Sequence, residues 1–115
     1  MVWAATHFLV GFSIALIACA LIGVKKRRMT ICVLSGLWAL LPDIHHPFRE
    51  LGLPGADLVY SIHGSRVADV FWFHYTLDQP PFDDGFQAQV FSLAGAMVLL
   101  AIAILVFRIQ KQKLP

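Results

Sequence analysis

From Val2 to Val24 the chain runs without a charged residue. At about 1.5 Å per residue, a helix of this length crosses a hydrocarbon core of about 30 Å. The run ends in Lys25-Lys26-Arg27-Arg28. A cleaved secretory signal carries its basic residues before the apolar stretch, whereas here they follow it. The order predicts a retained transmembrane helix whose C-terminal end faces the cytoplasm. The basic cluster is short and has no interleaved aromatics, so no nucleic-acid partner is expected.

Two more apolar runs follow. Met29 to Leu41 is shorter and meets Pro42 and Asp43; carried on through Ile44, it makes a second span over 29–44. Phe86 to Phe107 is again of membrane length and is followed by Arg108, Lys111 and Lys113. Hydrophobic residues make up 58% of the chain and charged residues 14%, where a soluble domain carries about a quarter charged. A chain of 115 residues is too short to hide that excess in a water-soluble core. The expected fold is therefore an all-α integral membrane protein of one domain. It has about three transmembrane helices (2–24, 29–44 and 86–108) and an outer section over 45–85. Within that section, Arg66 to Leu77 lacks Gly and Pro and is rich in aromatics. It reads as a short interfacial helix, with a strand as the alternative.

The positive-inside rule places the N-terminus outside and both basic ends inside. Seven of the nine Lys and Arg residues then lie inside, all but Arg49 and Arg66. The seven acids, which lie between residues 43 and 84, all fall outside. So do the five histidines, His7, His45, His46, His63 and His74. The acids and histidines segregate in this way although the orientation rests on Lys and Arg alone. Cys19 and Cys32 sit in apolar runs with no CxxC pair and read as small core residues.

A polar side chain within a membrane span is costly and marks function by default. His7 is one, and Gly11, Ala15 and Ala18 continue its face with small residues that let another helix approach. Antiparallel to this helix, the second span brings Asp43, His45 and His46 out at the same end. The outer section lies over that end with His63 and Asp69. Thr6-His7, Asp43 to His46 and His63 to Asp69 thus converge. Imidazole with carboxylate is a ligand set for a divalent metal, zinc first, with iron or manganese as alternatives. Read as one helix, 63–74 would hold His63 and His74 three turns apart, so only one of them is expected at the centre.

The segments "ATHFLVG", "LLPDIHHP" and "IHGS" resemble the LexA-regulated inner-membrane metal-dependent hydrolase family, with this chain as a short, divergent member. Thr6-His7 match a Thr-His element of that family. Pro42, Asp43 and His46 match a Pro-Asp-x-Asp-His element, with His45 in place of its second Asp. His63 and Ser65 match a later Thr-His-Ser element loosely, and the His-Arg-Gly element before it is missing. The resemblance implies a hydrolase acting through metal-activated water. His7, Asp43, His46 and His63 would be the metal ligands. Asp69 would be the bridging ligand or base, and His45 an outer-shell group or extra ligand. Its position at the outer surface suits a lipid or lipid-linked substrate.

Two other classes fit the sequence. One is a non-catalytic accessory subunit of a larger membrane complex, or a homo-oligomer, anchored by Phe71-Trp72-Phe73-His74-Tyr75. The other is a metal- or haem-binding membrane module; the absence of CxxCH excludes covalent c-type haem.

Overall fold

The first long apolar run forms α1 (Ala4–Ile22). It is closed by Gly23 at φ 88°, a left-handed position that glycine adopts without strain. The Gly23 and Val24 N–H groups both donate to the Cys19 carbonyl, satisfying the helix end. A basic turn leads into α2 (Arg28–Leu40). Pro42 cannot continue an α-helical ladder, and the chain tightens into a 3-10 turn over Leu41–Ile44. The outer section then folds as α3 (His45–Glu50), α4 (Ala56–His63), a 3-10 turn (Arg66–Val70) and a single-turn α5 (His74–Leu77). The last run is α6 (Gly85–Lys113). The computed structural model describes residues 2–113 and is all-helical over them, with no strand.

α1 is the central helix and packs against both α2 and α6. Its buried residues are small or polar: Thr6, His7, Gly11, Ser13, Ala15, Cys19 and Ala20. Gly11 is the closest approach. A Cβ there would stand 2.6 Å from the Ser35 carbonyl oxygen and 3.0 Å from Ala39 Cβ. The Ser35 hydroxyl donates to the Gly11 carbonyl at 2.7 Å, so the α1–α2 seam has a polar bond as well as small residues. Ala15 shares this buried face, whereas Ala18, expected beside it, is exposed. Cys19 and Cys32 are free and buried. At the basic end, the Arg28 guanidinium lies 4.1 Å from the centre of the Phe107 ring, which brings the two cationic ends together.

α1 and α6 are each long and apolar enough to cross a membrane. α2, with 13 residues, covers about 20 Å. By itself it falls short of the third span expected over 29–44. The stretch from Arg66 to Leu77 is neither the single interfacial helix nor the strand expected. It breaks at Trp72 and Phe73, whose φ angles of 53° and 62° are left-handed, a region that disfavours bulky side chains.

Candidate metal centre

Four segments meet at the N-terminal end of α1. His7 comes from α1 itself, Asp43 from the turn after α2, His63 from the last residue of α4, and His74 and Asp78 from α5 and its C-terminal cap. Gly64 ends α4 immediately after His63. The reversal at Trp72–Phe73 then turns His74 back toward it. His63 and His74 therefore do not share one long helix, and their rings lie 5.0 Å apart, edge to face. The expectation that only one of them reaches the centre is corrected on this point.

The inner geometry involves two nitrogens and two oxygens. His63 Nε2 stands 3.1 Å from Asp43 Oδ1 and 3.1 Å from Asp78 Oδ2. His74 Nε2 stands 3.3 Å from the same two oxygens. These four atoms are buried, and none has a hydrogen bond of acceptable geometry. They face one another at ion-pair distance without a well-formed hydrogen bond, a costly arrangement for buried polar atoms unless a shared proton or a cation satisfies them. A tetrahedral metal with bonds of about 2.0–2.1 Å separates its ligand atoms by about 3.3 Å. The four distances match that edge length. Asp43, His63, His74 and Asp78 form a group able to hold a metal ion.

The surrounding contacts orient these ligands. His74 Nδ1 donates to the Ala39 carbonyl at 2.7 Å, which directs Nε2 to the centre. Asp78 Oδ1 accepts from the Val2 N–H at 2.8 Å and from His7 Nε2 at 3.0 Å, leaving Oδ2 for the centre. His7 is fully buried and stacks on His74, with ring centres 3.8 Å apart. It therefore acts on the group through Asp78.

Burial alone would lower the His74 pKa, but the facing Asp43 and Asp78 carboxylates and the Ala39 carbonyl outweigh it and raise it to about 9. Burial would likewise raise Asp78, but the bond from His7 and the neighbouring His74 hold it well below the usual carboxylate range. For His63 burial prevails over the two carboxylates and lowers its pKa. At neutral pH His74 thus carries the proton, while His63 presents a lone pair.

The remaining sequence candidates lie at different distances from this group. His45 is buried, and its ring centre is 4.5 Å from that of His63. His46 is exposed and forms a second cluster with Asp43 and His45. Asp69 stands apart: its Oδ1 accepts from the Thr76 N–H at 2.7 Å and its Oδ2 from the Thr76 hydroxyl at 2.8 Å. Asp78 was not among the sequence candidates. The available signal was His74-x-x-x-Asp78, a spacing that puts both side chains on one helix face.

No family model, curated protein or solved structure matches this chain.

Proposed function

We propose that the protein is a membrane-embedded metal-dependent hydrolase, with its His/Asp centre at the extracytoplasmic surface and zinc as the first candidate ion. The observation that carries the metal reading is the convergence of two imidazole nitrogens and two carboxylate oxygens, all buried and without a well-formed hydrogen bond, at four contacts of 3.1–3.3 Å. His63, His74, Asp43 and Asp78 would hold the ion. A metal held at this His/Asp surface would supply water activated at neutral pH, at a position that the protein ligands leave open. The chain's own residues hold and shield it. His7 and Val2 fix the carboxylate of Asp78, and the Ala39 carbonyl fixes the ring of His74. His7 and His74 close the inner side, since both are fully buried. His63 and Asp43 retain some side-chain exposure and form the approach from solvent.

Membrane insertion is supported by the two long apolar helices. On the proposed topology, α2 and its 3-10 turn form a third crossing, with the N-terminus outside and the C-terminus inside. The centre then lies just under the outer headgroups, where a lipid or lipid-linked substrate is within reach. The resemblance to the LexA-regulated hydrolases supports the same reading through Thr6-His7, Pro42-Asp43 and His46.

Elemental analysis of the purified full-length chain tests the proposal. Wild-type protein should carry stoichiometric metal, and His74→Ala and Asp43→Ala should lose it. A metal-free wild type that also fails to take up zinc or manganese overturns the reading.

A further inference from the structure

Asp43 belongs to two groups at once. Besides the four-residue centre, it stands with His45 and His46, and the three offer ligand atoms within 4.8 Å of one another. We propose that Asp43, His45 and His46 form a second metal site, joined to the first through the Asp43 carboxylate, so that the protein holds a bridged pair of divalent cations. This rests on the metal reading of the first group.

Three observations support the second site. The first is the set of His45. Its ring is buried and its Nδ1 donates to the Pro42 carbonyl at 3.0 Å, which leaves Nε2 as the ring nitrogen available to a ligand. His74 is held the same way by the Ala39 carbonyl at 2.7 Å. A backbone carbonyl on one ring nitrogen, with the other directed outward, is the usual support of a metal-ligating histidine. The second is the placement of His46. Consecutive residues of a helix point about 100° apart, yet the His45 and His46 rings lie 3.9 Å apart beside the same carboxylate. The third is Asp43 itself. Its Oδ1 is directed at His63 and His74, and a carboxylate has a second oxygen with which to bridge. Two-metal centres place their ions about 3.5–4 Å apart, and His45 lies directly beside His63, with ring centres 4.5 Å apart.

The two sites differ in kind. The first has four protein ligands, and its His74 and Asp78 are buried. That is the closed ligand count of a structural ion. The second has three ligands, and its His46 is exposed. Three protein ligands with a position open to solvent is the arrangement of a catalytic ion. In such a pair His63, His74 and Asp78 would hold an ion that fixes Asp43, and His45 and His46 would hold one with a position left for water.

The test uses the full-length chain in detergent, stripped of metal and reloaded with Mn²⁺. Wild-type protein should bind two ions per chain and show the electron paramagnetic resonance signal of an exchange-coupled pair. His46→Ala, a change at an exposed position that does not disturb the core, should bind one ion and lose the coupling. One ion in both proteins overturns the second site and leaves the first standing. Two uncoupled ions overturn the bridge, and two coupled ions in His46→Ala overturn the ligand assignment. No ion in wild type removes the four-residue reading as well.

Discussion

At the scale of single residues, Asp78 divides its two oxygens between tasks. Oδ1 takes the Val2 N–H and the His7 ring, and Oδ2 faces His63 and His74. Its partner His74 sets the pH behaviour. An ion must displace the proton that His74 holds up to about pH 9. Metal affinity is therefore expected to rise about tenfold per pH unit through neutral pH up to about 9 and to level off above, with one proton released per ion in the rising range. Titration calorimetry in buffers of different ionisation enthalpy checks this; uptake without proton release at pH 7 would contradict it. In the metal-free chain the sign is opposite. The raised pKa of His74 contributes stability that is full below its ordinary 6.5 and is lost as pH rises through about 9. The lowered pKa of Asp78 contributes stability above its ordinary 3.8 that is lost as pH falls below it. His7, Asp43 and His63 were legible in the sequence as members of this neighbourhood, because they stand at the ends of strong apolar runs or beside turn formers. Asp78 was not, because an acid in a polar, proline-containing stretch looks like any solvated loop acid. Only the fold turns it inward.

Among the elements, the short pieces between α4 and α6 decide whether the centre exists. A continuous helix over 63–74 would hold the two histidines about three turns apart. Gly64 and the left-handed pair Trp72–Phe73 prevent that. No hydrophobic period signals a reversal at two aromatic residues, so this break could not be read from pattern alone. Asp69 stabilises the piece after the break. Phe73, at the N-cap of α5, makes no side-chain cap bond, and Asp69 accepts the Thr76 N–H in its place. Asp69→Ala should cost about 1 kcal/mol, the usual worth of a cap. Because α5 carries His74 and its C-cap is Asp78, metal affinity should fall about fivefold with stoichiometry unchanged. Loss of the ion, or loss of turnover at full metal loading, would instead assign Asp69 to the chemistry. The α1–α2 seam was more legible, since a small-residue face beginning at His7 already implied close approach. Gly11→Ala sets a Cβ 2.6 Å from the Ser35 carbonyl oxygen, and backbone cannot swing aside as a side chain can. The helices must part, at about 1–3 kcal/mol. A thermal melt in detergent should show a lower Tm, and an unchanged Tm would mean that the seam is looser than described.

On the scale of the whole molecule, polarity is sorted lengthwise. Lys25, Arg28 and Lys111 gather at one end around Phe107, and His7, His63, His74, Asp43 and Asp78 gather at the other. In α6 only Ala96 and Ala103 are buried, while Phe86, Phe91, Met97, Val98 and Leu105 are each more than half exposed. A core helix of a soluble protein would bury such a surface; lipid, or a second helix within lipid, leaves it at no cost. This sorting was the most legible feature of the sequence, because charge bias and run length act over many residues and do not depend on any one contact. The proposed orientation can be checked with two single cysteines at exposed positions, Asp57→Cys and Lys26→Cys. The native Cys19 and Cys32 are buried and should stay silent. A membrane-impermeant maleimide applied to intact cells should label position 57. It should reach position 26 only after the membrane is opened. The reverse pattern would invert the topology and place the metal centre on the cytoplasmic face, where the substrate would have to be a different one. Equal labelling of both positions in intact cells would mean that the chain does not separate two compartments at all.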